Sequence, residues 1–136
     1  MNFITRILNF FYTSKQGFFK IALELLNHFF VKVYFALTAV LNLLIWAITI
    51  FIYSKIDLGQ IVLHYNVDFG VNLYGDVEKI FIIPIVGLSI LIVNLLIAGN
   101  LVHKEKFIAQ LLLVSAFFVN IILLISVGAL YLINFR

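Results

Sequence analysis

The chain has 136 residues, 65% of them hydrophobic and only 11% charged, against roughly 45–50% and about 25% in soluble domains. A soluble globule this small needs far more polar surface. That balance therefore excludes a soluble domain and a disordered chain. The net charge of +3, from 9 basic and 6 acidic side chains, is too sparse for a nucleic-acid-binding patch. The absence of cysteine removes disulfides, thiolate metal sites and a Cys nucleophile, and an integral membrane protein remains.

Residues 1–32 form the first element. Asn2, Thr5, Arg6, Asn9, Thr13, Gln16, Lys20, Glu24, Asn27 and His28 recur at helical spacing among Phe3, Ile4, Leu8, Phe11, Phe18, Phe19, Ile21, Leu25 and Leu26. This is the pattern of an amphipathic helix lying in the membrane interface, with a break near Gly17. A transmembrane helix is disfavoured here, because Lys20, Glu24, Asn27 and His28 would sit near its centre at a cost of a few kcal/mol per charge. The segment is also too long before the first full span to read as a signal peptide.

Three stretches free of Asp, Glu, Lys and Arg follow: Val33–Ser54 (22 residues), Ile80–Val102 (23) and Phe107–Phe135 (29). About 20 apolar residues cross a hydrocarbon core of roughly 30 Å, and in lipid only a helix satisfies its own backbone within one segment. The fold class is therefore all-α, a single membrane domain with three transmembrane helices. The third stretch is overlong and must tilt or run past the interface.

The connection over 55–79 differs in character. In Leu63-His64-Tyr65-Asn66-Val67-Asp68-Phe69-Gly70, apolar and polar or small residues alternate strictly, which predicts a strand with one wet face. Gly70, Asn72 and Tyr74-Gly75-Asp76 are read as turns, giving a small hairpin or extended cap. Asp76 and Glu78 precede the second span, where acids suit a helix N-terminus, and Pro84 falls in its first turns, where a missing N–H costs little. The second connection, 103–106, is short and basic.

Basic residues set the expected orientation. Arg6, Lys15, Lys20 and Lys32 precede the first span, and Lys104 and Lys106 lie in the second connection, six in all. Lys55, Lys79 and Arg136 make three on the other side. The N-terminus and 103–106 are expected in the cytoplasm, and 55–79 and the C-terminus outside.

Candidate chemistry is thin. His64, Asn66 and Asp68 would project from one strand face about 6–7 Å apart. One His, one carboxylate and an amide make a weak cation site, and hydrogen bonds to the turns of the cap are the preferred reading. Asn42, Asn94 and Asn120 fall inside the spans, on stripes with small residues: Ala39, Asn42, Trp46, Thr49 and Tyr53; Pro84, Gly87, Leu91, Asn94 and Ala98; Ala109, Leu113, Ala116, Asn120 and Val127. They are read as interhelical packing contacts, because a substrate or proton path normally carries ionisable groups at depth. Ser54, Ser89, Ser115 and Ser126 have no His or carboxylate at a catalytic spacing. No metal-ligand set, phosphate loop or cofactor motif is recognised.

The triplet His64-Tyr65-Asn66, then Gly70, Gly75, Lys79 and Pro84 early in the next helix, resembles the domain of unknown function found in small bacterial membrane proteins and at the front of SdpI-type immunity proteins. That family shows a His-aromatic-Asn triplet, a Gly a few residues on and a Pro inside the following helix. Its usual Pro before the His is replaced here by Ile61-Val62-Leu63. The resemblance covers about Gln60–Leu96 and implies an outward-facing loop motif, with possible recognition residues His64, Asn66, Asp68 and Gly70, in a bacterial plasma membrane. It implies no reaction. Two functions follow from the sequence. The first is a non-enzymatic membrane protein acting by interaction with a membrane-protein partner, as an accessory, sensor or immunity-like component. The second is a protomer of a homo-oligomeric small transporter or channel. Its partners are the lipid bilayer and another membrane protein or further copies, not nucleic acid.

Overall fold

The computed structural model describes residues 28–56, 59–66, 68 and 70–135, and the side chains of all of these but 64–66, 71 and 72. The amphipathic element expected over residues 1–32 therefore lies outside the described residues up to residue 27. Its last residues belong elsewhere: helix α1 runs Phe29–Lys55, four residues earlier than the uncharged stretch. Lys32 is thus in its first turn, because a long Lys at a span end keeps its head in water while its backbone stays helical.

After α1 come strands β1 (Gln60–Asn66) and β2 (Gly70–Asp76), a 3₁₀ turn over Val77–Phe81, helix α2 (Ile82–Leu101) and helix α3 (Lys106–Phe135). All three helices are long and apolar enough to cross a membrane, counting the 3₁₀ turn with α2. Between α2 and α3 the chain reverses in four residues. Glu105 and Lys104 donate their N–H groups to Leu101 O, and Ala109 N–H donates to Glu105 O, so the end of one helix leads directly into the next.

α3 packs along both other helices, and its buried stripe is Ala109, Leu113, Ala116, Asn120 and Val127, the face its spacing predicts. α2 buries Pro84, Gly87, Leu91, Ala98 and Gly99. On α1 the expected face is rotated. The buried stripe is Thr38, Asn42, Ile45, Thr49 and Ile52, while Trp46 and Tyr53 turn sideways onto Phe81, with ring centroids 5.9 and 5.3 Å apart. Large amphipathic rings are better placed at a seam than in a close helix contact.

Two apolar clusters result. Val31, Ala98, Val102, Ala109 and Leu113 fill the end near the α2–α3 connection. Ile45, Ile52, Ile61, Ile80 and Val127 fill the other, joining β1 and the 3₁₀ turn to the helices. The outward faces carry Leu43, Val93, Ile122 and Ile125 in the open, an apolar exterior suited to a lipid surround.

The single strand expected through Leu63–Gly70 is instead two. Asn66 pairs with Gly70, Tyr65 with Val71 and Gln60 with Asp76, antiparallel. Asp68 sits in the connection, and Gly70 opens β2 with φ +73, a left-handed conformation that favours glycine. The alternation of hydrophobicity continues across the turn and conceals it. Asn72 and Tyr74-Gly75-Asp76, expected as turns, lie within β2.

Candidate functional site

The hairpin is fixed to the bundle by a side chain near the end of α3. Asn134 accepts from the Val62 N–H at 2.9 Å and donates to the Val62 carbonyl at 3.0 Å. An amide thus matches both backbone groups of one residue, as a neighbouring strand would. Its Nδ2 also donates to Leu130 O at 2.8 Å, holding the side chain against its own helix. Ile61, one residue earlier, is buried in the helix-end cluster. At the base, Val77 N–H donates to Gly59 O at 3.0 Å.

Held this way, the hairpin leaves Leu73 52% and Tyr74 61% exposed on β2. The register slips around His64, which pairs with Leu73 between Val62–Tyr74 and Tyr65–Val71. An irregularity of this kind bends a strand and re-aims side chains. Of the expected motif, His64 and Asn66 lie on β1, Asp68 in the connection and Gly70 on β2, so they do not share one strand face. The hydrogen bonds expected of the His64 and Asn66 side chains fall outside the described residues.

Beneath the hairpin, Tyr53, Ser54, Ile56, Gly59, Asp76, Val77 and Glu78 line an open polar cavity of about 620 Å³. Lys79 Nζ stands 2.9 Å from Asp76 Oδ2. That hydrogen bond and the lysine charge hold the Asp76 carboxyl below the usual carboxylate range. Both groups are well exposed, so water screens the pair and it orients the 3₁₀ turn more than it stabilises the fold.

Inside the bundle, Asn42 and Asn120 meet. Asn42 Nδ2 donates to Asn120 Oδ1 at 3.2 Å and to Pro84 O at 3.1 Å, while Asn120 Nδ2 donates to Gly87 O at 3.3 Å and Ala116 O at 3.0 Å. Both amides are buried, and this node ties all three helices together. It depends on Gly87, since a Cβ there would fall 2.7 Å from Asn120 Oδ1 and from Asn42 Nδ2. Asn94 stands apart from it, donating to Leu112 O at 3.0 Å and Ser115 Oγ at 3.2 Å on α3.

Among the described residues the serine hydroxyls are all directed to their own helices: Ser54 to Phe51 O, Ser89 to Ile85 O, Ser115 to Leu112 O and Ser126 to Ile122 O. Among the described residues no three His, Asp or Glu approach one another closely enough to hold a metal ion. The sequence reading missed Asn134. Its signal was an amide close to the end of an overlong span, a place where interface decoration is the ordinary explanation.

Fold and site together define a polytopic helical membrane protein with an anchored β-hairpin at one end. Comparison with protein-family models, with curated proteins and with solved structures finds no match.

Proposed function

We propose that this protein acts by recognising another membrane protein, non-enzymatically, through the hairpin. The observation that carries this reading is the clamp at Val62. Two hydrogen bonds from Asn134 and the burial of Ile61 hold the hairpin in place, while Leu73 and Tyr74 are left open to solvent. A rigid platform with an exposed aromatic and an exposed aliphatic side chain is suited to recognition, since pre-ordered contacts lose little entropy on binding and Tyr is a frequent anchor. The resemblance to the loop motif of SdpI-type immunity proteins supports an accessory, sensor or immunity-like role in a bacterial plasma membrane. The distribution of basic residues supports a hairpin on the outer side and a cytoplasmic N-terminus.

The transporter or channel reading needs polar faces to line a path between copies. Asn42 and Asn120 are poor candidates, because their amides bond each other and α2 carbonyls within one copy. The test is purification in mild detergent of the full chain and of Leu73→Glu and Tyr74→Glu. Recognition through the hairpin predicts a defined stoichiometric partner with the unsubstituted chain, lost in both variants at unchanged abundance. A partner retained by both variants would overturn the assignment to this face, and a pure homo-oligomer with no second protein would favour the transporter reading.

A further inference from the structure

We propose that the opposite end of the bundle, where α1 begins and the α2–α3 connection turns, binds the phosphate headgroup of an anionic phospholipid. The groups concerned come from two distant parts of the sequence. The His28 and His103 rings are 5.8 Å apart, edge to face. The His28 ring is 5.9 Å from Phe30, and Lys106 Nζ stands 5.9 Å over that same Phe30 ring. Lys32 is one turn along α1, its N–H donating to His28 O at 3.2 Å, and Lys104 follows His103 directly. Lys106 and His28 thus lie against one aromatic ring, with His103 packed on His28 and Lys32 and Lys104 close to them along the chain, and among the described residues Glu105 is the only acid at this end. Neither α1 nor α3 has an acidic residue in its first turn. Lys32, His103, Lys104 and Lys106 are all exposed.

The adjoining apolar side chains indicate which phosphate this is. Phe29 is 81% exposed and Phe107 74%, and they lie beside Lys32 and Lys106 on α1 and α3. The ligand surface is therefore cationic with large apolar side chains next to it. An amphiphile whose anionic head meets the lysines and whose chains cover the two phenylalanines satisfies both halves, whereas a free phosphate engages the lysines alone. Basic residues at a span end are drawn to anionic headgroups on the same grounds.

The test uses the full chain in vesicles of phosphatidylcholine, and of phosphatidylcholine and phosphatidylglycerol in equal parts. Unfolding is followed by the fluorescence of Trp46, the single tryptophan. The site predicts a higher thermal midpoint with phosphatidylglycerol, a rise that shrinks as salt is added. In the triple variant Lys32→Gln/Lys104→Gln/Lys106→Gln most of that rise should be lost, while the midpoint in phosphatidylcholine alone reports that the variant folds. If the triple variant does not fold, Lys32→Gln and Lys104→Gln singly should each lose part of the rise. Lys55→Gln, at the other end, should keep it all. Equal midpoints in the two lipids, or a full rise in the lysine variants, would overturn the proposal. So would an equal rise from inorganic phosphate added to phosphatidylcholine vesicles, since that means a free-anion site.

Discussion

Asn42 and Asn120 show how little polar chemistry is needed to register three apolar helices. Burying two amides is favourable only because each finds carbonyl partners. An interhelical hydrogen bond in a membrane contributes about 0.6 kcal/mol on average and up to about 1.7, so the node specifies one arrangement more than it adds bulk stability. Two glycine substitutions separate close approach from helix propensity. Gly87→Ala places a methyl against both amides and should destabilise by about 1–3 kcal/mol, the range for overpacking. Gly128→Ala meets nothing within 4 Å and should be neutral, or stabilising by up to about 1 kcal/mol. Denaturant titration in detergent micelles measures both. Thr49 offers a second contrast. Its hydroxyl is fully buried and has no hydrogen-bond partner among the described residues, so Thr49→Val should be neutral or stabilising. Thr38, whose hydroxyl donates to Tyr34 O at 2.7 Å, should lose stability on the same change.

At the scale of elements, α3 is the scaffold. Its 30 residues span about 45 Å at 1.5 Å per residue, more than the roughly 30 Å hydrocarbon core requires. The surplus carries Asn134 to the level of the hairpin. Asn134→Leu should therefore leave the helices assembled and release β1, read as a loss of hydrogen-exchange protection along β1 beyond the Val62 amide, whose own acceptor the change removes. Unchanged protection along the rest of β1 would show that Ile61 and Ile80 alone hold the hairpin. The three helices were legible in the sequence because uncharged runs of spanning length admit hardly any other structure, and the α3 stripe followed from spacing alone. Asn42 and Asn120 were legible as packing residues for the same reason. The partnership between Asn134 and Val62 was not, because 72 residues separate them and no periodicity links a helix end to a strand. The hairpin was legible only in part: Gly70 was read as a turn residue, but the polar–apolar alternation runs unbroken through Asn66–Gly70, and Asn72 and Tyr74-Gly75-Asp76, read as turns as well, lie within β2. The rotation of the α1 stripe turned on two aromatic rings that a spacing rule places on the same face as Asn42.

For the whole molecule, the two ends differ in kind. One carries the hairpin, the acidic rim of Asp76 and Glu78, and the stacked Tyr131 and Phe135 rings 5.2 Å apart. The other carries Lys32, His103, Lys104 and Lys106. An odd number of spans puts the first helix's start and the last helix's end on opposite sides, so one orientation assigns both ends. Since the chain has no cysteine, single substitutions report location without background. Gln60→Cys and Lys106→Cys, probed with a membrane-impermeant thiol reagent in intact cells and again after lysis, test the central claim most directly. A three-span bundle presenting its hairpin outside predicts that Gln60→Cys labels in intact cells and Lys106→Cys labels only after lysis. Labelling of Lys106→Cys alone in intact cells would invert the molecule, and labelling of both there would contradict the membrane-spanning arrangement itself.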